Sequence, residues 1–218
     1  MRKVLLSLAA FAALAASSQA RANESAHEAA EGGEKWKLGV GTGYSFAFGD
    51  ASKSATGTTA MSGVYAGEVP VELEASYKLT HAISAGVYAG YGYGMPASKL
   101  SDAFSSFATW RFGVQGEYEF AKLGPALPFA GLRIGYFTET ANGKNGVENK
   151  SASGWEYLTV FGGAEFEVAR GFTAGPFASL AIGEYTYEKQ GSEGGSIPSG
   201  DRTLHQWLTI GVRGSWGF

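Results

Sequence analysis

The sequence predicts an all-β fold, an eight-stranded antiparallel up-and-down transmembrane β-barrel. Three observations predict it. From Trp36 onward apolar residues recur at every second position, the period of a strand. The connections between apolar runs alternate between short and long, as when one end of a barrel carries turns and the other loops. The composition is rich in Gly (33 of 218 residues) and in aromatics (14%) but holds only 17% charged residues, which excludes a disordered chain. No apolar run reaches the roughly 18 residues of a transmembrane helix. The absence of Cys excludes disulfides, thiolate metal sites and a Cys nucleophile. Three His argue against a His-rich metal centre, and a formal charge of -3 gives no sign of nucleic-acid binding. No cofactor is implied.

The chain begins as an address. Arg2 and Lys3 form a positive start, and Val4 to Ala16 is an apolar stretch broken only by Ser7. Ser18-Gln19-Ala20 and Ala20-Arg21-Ala22 each place small residues where a signal peptidase needs them. Residues 1–22 therefore read as a signal peptide cleaved after Ala20 or Ala22, residues 23–35 as a flexible leader, and residues 36–218 as the barrel.

Eight strands follow in order. In the first, Trp36, Leu38, Val40, Tyr44, Phe46 and Phe48 share a face opposite Lys37, Gly39, Gly41, Gly43 and Ser45. The second, about Glu68 to Leu79, sets Val69, Val71, Leu73, Ala75 and Tyr77 against Glu72, Glu74, Ser76 and Lys78. After a turn at Thr80-His81-Ala82, the third sets Ile83, Ala85, Val87, Ala89, Tyr91 and Tyr93 against Ser84, Gly86, Gly90, Gly92 and Gly94. The fourth sets Trp110, Phe112, Val114, Tyr118 and Phe120 against Thr109, Arg111, Gln115, Glu117 and Glu119. Beyond Pro125 and Pro128, the fifth sets Ala130, Leu132, Ile134 and Tyr136 against Gly131, Arg133, Gly135 and Glu139. The sixth sets Leu158, Val160, Ala164, Phe166 and Val168 against Thr159, Gly163, Glu165 and Glu167. Past Arg170-Gly171, the seventh sets Phe172, Ala174, Ala178, Leu180 and Ile182 against Thr173, Gly175, Ser179 and Gly183. The eighth sets Leu204, Leu208, Ile210, Val212, Trp216 and Phe218 against His205, Thr209, Gly211, Arg213 and Ser215. Long polar connections are expected at 49–66, 95–106, 141–154 and 188–201.

The two faces decide between membrane and water. A soluble barrel, such as a lipocalin-like carrier, would put the apolar face inside and expose a Gly-rich face with few charges, which is poor for solubility. A membrane barrel turns the apolar face to lipid. Gly on the other face leaves room in a narrow lumen, and aromatics near the strand ends suit interfacial girdles.

The last strand reads Leu208-Thr209-Ile210-Gly211-Val212-Arg213-Gly214-Ser215-Trp216-Gly217-Phe218. It resembles the terminal assembly signal of bacterial outer-membrane barrels, with Ile210, Val212, Trp216 and Phe218 at the alternating apolar positions and Gly214 where a larger residue is usual. The mature chain resembles the small eight-stranded outer-membrane barrels of the OmpA-transmembrane and OmpX type. That resemblance implies residence in the outer membrane of a Gram-negative bacterium, insertion by the outer-membrane assembly machinery, and contact with outer-membrane lipid and lipopolysaccharide, as a monomer. It does not imply one activity, because the fold hosts anchors, adhesins, narrow channels and lipid-modifying enzymes.

The lumen face gathers the candidate site. Glu72, Glu74, Glu117, Glu119, Glu139, Glu165 and Glu167 are assigned to it with Lys78, Arg111, Arg133 and Arg213. Glu72-Leu73-Glu74, Glu117-Tyr118-Glu119 and Glu165-Phe166-Glu167 repeat at the short-turn ends of strands two, four and six, each soon followed by a base (Lys78, Lys122, Arg170). A repeat reads as a charge ring filling a narrow lumen, not as the paired carboxylates of a glycosidase. Buried charges need partners, so an ion-pair plug is expected and a cation-favouring constriction is the alternative. His205 faces the lumen near the long loops, but a deacylase needs a His, Ser and acid at one site. Gly39-x-Gly41-x-Gly43 opens a strand, not a helix, so it is no phosphate loop. Lys53, Lys99, Lys144, Lys150, Lys189 and Arg202 lie in or beside the long loops, as do Tyr65, Phe104 and Phe107. The expected function is a non-enzymatic structural or surface-interaction role with a plugged lumen. A narrow channel for small or apolar solutes comes second, and a lipid A hydrolase or acyltransferase third.

Overall fold

A computed structural model describes residues 35–54 and 57–218. The expected signal peptide and all of the leader but Lys35 lie outside the described residues. Ten strands follow in chain order: β1 (Trp36–Ser54), β2 (Gly57–Ala60), β3 (Tyr65–Lys78), β4 (Ile83–Pro96), β5 (Phe104–Glu119), β6 (Ala126–Gly143), β7 (Lys150–Ala169), β8 (Phe172–Gln190), β9 (Glu193–Ser196) and β10 (Leu204–Gly217). Eight of them form an antiparallel ring in the order β10-β1-β3-β4-β5-β6-β7-β8, and β8 pairs with β10 to close it. Closure leaves no open edge within the ring, which a lipid-exposed backbone demands. The short β2 and β9 are extra turns of ladder that extend β1 and β8 beyond the ring.

The short-turn end is tightly built. The Thr80 hydroxyl accepts from the backbone N–H groups of Ala82 (3.2 Å) and Ile83 (2.9 Å), fixing the β3–β4 turn. Gly171, with φ +74, makes the β7–β8 turn possible in two residues. The described termini meet at the same end, where Trp36 N–H donates to Phe218 O at 3.0 Å.

At the opposite end the strands run further than alternation alone indicates. β5 starts at Phe104, β6 continues to Gly143, β7 begins at Lys150 and β8 reaches Gln190. The physical reason is that these ends project past the lipid. Their outward residues (Ser105, Thr140) no longer need to be apolar, while the backbone ladder continues. Tyr65, Phe104 and Phe107 accordingly belong to strands and point inward, buried in a mouth cluster with Met61, Phe137, Tyr185 and Trp207.

The outer surface is the predicted apolar face. Leu38, Val40, Leu73, Val87, Val114, Leu132, Ile210 and Val212 are all exposed. Ring pairs mark its margins: Trp36 on Tyr77 (5.2 Å), Tyr91 on Trp110 (5.0 Å) and Phe172 on Trp216 (5.7 Å). An apolar belt outside and charges inside make this a membrane-spanning barrel, the architecture of the bacterial outer membrane. By the same rule the short turns are periplasmic and the long loops extracellular.

Candidate functional site

The lumen is the candidate site: six of the eight ring strands supply the charges of its lattice, and Tyr88 of β4 and Thr173 of β8 add hydrogen bonds from the other two. At the periplasmic end Lys37 of β1 donates to Glu117 and Glu119 of β5, both at 2.8 Å, and lies 3.5 Å from Glu165 of β7. Lys78 reaches Glu119 at 3.4 Å. Arg213 of β10 spans the barrel to Glu117 (2.5 Å), Glu74 of β3 (2.8 Å) and Glu165 (3.6 Å). Glu165 also accepts from Ser215 (2.6 Å) and Thr173 (2.7 Å). Above this, Arg133 of β6 binds Glu72 (2.7 Å) and Glu74 (2.6 Å), and its Nε donates to Gln115 (2.9 Å). Higher still, Arg111 meets Glu68 (2.5 Å) and Glu156 (3.8 Å). Thr109 donates to Glu68 at 2.7 Å, Tyr88 to Glu156 at 3.1 Å, and Thr159 also donates to Glu156.

Aromatic rings fill the space between these charges. The Arg133 guanidinium lies 4.4 Å from the Phe161 ring centre and 4.8 Å from that of Tyr88, and Arg213 lies 4.6 Å from that of Phe129. Such stacking favours Arg, whose planar guanidinium is weakly hydrated. Phe129, Phe161 and Phe177 form their own buried cluster. The rings explain Gly on the facing positions. A Cβ at Gly131 would run into Phe161, and one at Gly135 into the Tyr88 hydroxyl.

The lumen residues predicted from sequence are thus distributed. Glu72, Glu74, Glu117, Glu119, Glu165, Arg111, Arg133 and Arg213 meet in the ion pairs, and Lys78 joins them from a partly exposed position. Glu167 departs from the expected ring. It is exposed at the periplasmic mouth and outside the ion pairs among the described residues, because β7 ends two residues later and the wall there no longer encloses it. Three members are not legible in the sequence pattern. Alternation puts Lys37 on the polar face but names no partner for it. Glu68 stands at the start of its expected strand. Glu156 was hidden by an irregularity at Glu156/Leu158, where Tyr157 interrupts the alternation and resets the phase.

His205 is buried as an aromatic. It stacks on Tyr185 (4.5 Å between centres) and meets Phe137 edge-on (5.4 Å), and its Nδ1 has no hydrogen-bond partner. His81 is exposed in the β3–β4 turn, whereas the Ser84 side chain is buried. Among the described residues no group of three or more His, Asp or Glu is placed to hold a metal ion.

Two cavities flank the plug on the barrel axis. The extracellular vestibule, about 690 Å³, is floored by Glu139 and walled by Tyr65, Phe104, Phe107 and Tyr185. The periplasmic one, about 330 Å³, is bounded by Lys37, Glu119, Glu165 and Thr173.

No family model matches the chain, and no curated protein matches it by sequence. Solved structures do match. The outer membrane protein AlkL, determined in lipid bilayers, superposes with a TM-score of 0.54 over 85% of this chain and 90% of its own, at 10% identity. OprG of Pseudomonas aeruginosa (TM-score 0.48, 10% identity, 85% and 98% coverage) and Neisserial surface protein A (0.46, 16%, 84% and 98%) match less tightly. At such identities the likeness is one of architecture. The chain has the fold of a small eight-stranded outer-membrane β-barrel.

Proposed function

We propose that the barrel is a closed, monomeric, non-enzymatic anchor that holds its loops at the cell surface for contact with other surface components, its lumen plugged rather than conducting. The observation that carries this reading is Arg213, which joins carboxylates on three other strands and bridges the lumen instead of lining a path along it. The loop-end bases Lys53, Lys99, Lys144, Lys150 and Lys189 are exposed, and their ammonium groups suit the phosphates of lipopolysaccharide. The alternating apolar positions of β10, Ile210, Val212, Trp216 and Phe218, are proposed to engage the assembly machinery. Purified protein in a planar bilayer should show no steady conductance at moderate voltage. Stable wild-type openings would overturn the plug.

The cavities at both ends of one axis favour a second reading, a narrow channel for small or apolar solutes. It requires the lattice to open, so it predicts transient conductance that increases when Arg213 is replaced by Ala.

A further inference from the structure

The extracellular vestibule contains a group that the charge lattice does not use. Glu139 is buried at its floor and accepts a hydrogen bond from the Tyr185 hydroxyl at 3.0 Å. Seven carboxylates in the lumen are ion-paired, yet Glu139 has no ion pair among the described residues. The nearby guanidinium of Arg111 is engaged by Glu68 and Glu156. The Tyr65 hydroxyl, buried in the same cavity wall, faces the Glu139 carboxylate without completing a well-formed hydrogen bond. The apolar part of the wall is formed by the rings of Phe104, Phe107 and Tyr185 with Leu100 and Ile197, and charged residues line the rim.

A buried carboxylate without a counter-ion is costly, and aromatic faces attract cations. We infer that the vestibule binds a small amphipathic ligand bearing an ammonium group, with the ammonium at Glu139 and the apolar body against Tyr65, Phe104 and Phe107. Lys150 and Lys189 on the lining are offset by Glu188 and Glu193, so the floor sets the sign of charge the cavity prefers. A neutral apolar solute would use the walls and leave Glu139 unpaired. An anion would meet the carboxylate directly. The ligand enters from outside the cell, and the inference goes beyond the anchor reading without requiring it.

The test uses the full barrel in maltoside micelles, which present no cationic headgroup. 2-Phenylethylammonium, 2-phenylethanol and 3-phenylpropanoate are titrated by calorimetry. The ammonium should bind at least tenfold more tightly than the alcohol, and the carboxylate not measurably. Glu139→Gln should abolish that preference while leaving the alcohol's affinity unchanged, and Ala141→Trp, which fills the cavity, should remove binding of both. Should Glu139→Gln fail to fold, the three wild-type titrations and Ala141→Trp still decide. Equal affinity for ammonium and alcohol, a preference that survives Glu139→Gln, or no binding by any probe would each overturn the inference.

Discussion

Arg213 is the residue whose loss should be felt most. Its side chain is buried, and three carboxylates converge on it. Arg213→Ala removes the shared cation from a confined lumen, leaving Glu74 only Arg133 and leaving Glu117 and Glu165 to share Lys37, which costs roughly 3–5 kcal/mol. Urea unfolding in lipid vesicles should show that loss as a lowered midpoint. Glu167→Ala is the contrast, since an exposed position outside the lattice should shift stability by no more than about 0.5 kcal/mol. An unchanged midpoint for Arg213→Ala would refute the ion-pair plug there. The lattice was partly legible in sequence because a charge on a Gly-rich strand face has nowhere else to go. Tyr88, Phe129, Phe137, Phe161 and Phe177 were not. Each sits on the polar face by parity, but its chemistry matches the lipid face, and only the Gly beside it on the paired or next-but-one strand shows where the ring goes.

For the strands, the question is register. On β10 Ile210 is 56% exposed, whereas its neighbour Thr209 is buried with its hydroxyl 2.7 Å from that of Ser45. Lys at a lipid-facing midplane position costs roughly 2–4 kcal/mol. Thr209→Ala should cost only about 1 kcal/mol, the net value of one hydrogen bond. Folding yield into vesicles should therefore fall far more for Ile210→Lys than for Thr209→Ala. The reverse order would place Ile210 inside. The eight ring strands were readable because lipid enforces alternation on every outward residue. Their extracellular extensions, with β2 and β9, were not, because outside the bilayer that constraint lapses. The phase reset at Tyr157 was hidden for a related reason: Tyr157 and Leu158 are both apolar, and a strand that presents two such residues in succession erases its own parity.

Taken whole, the barrel has every ring strand paired on both sides, so unfolding must break the ring rather than peel an edge. Unboiled protein in detergent should migrate differently on a gel from boiled protein. Identical mobility of a verified folded sample would count against closure. The proposed export signal has its own readout: protein taken from outer membranes should have the mass expected for cleavage after Ala20 or Ala22, and retention of Met1 would remove the export argument. Architecture was legible at this scale because alternation, loop asymmetry and the Gly-rich face converge on it. The vestibule was not, since Tyr65, Phe104, Phe107 and Glu139 meet there only once three strands are in register.

The reach of the ion pairs has a consequence for how the molecule is made. Lys37 and Glu117 are 80 residues apart, and Arg213 and Glu117 are 96 apart. Neighbouring hairpins can zip early, because their contacts are close along the chain, but cross-lumen contacts wait for distant segments and form late. Until β10 arrives, Glu74, Glu117 and Glu165 lack the cation they share, and a nascent sheet must keep them wet. Drying of the interior therefore coincides with seam closure between β1 and β10. β10, the ring strand furthest along the chain, completes the wall and brings the shared counter-charge that lets water leave, so partly assembled chains should remain hydrated, open and easily proteolysed until that single step.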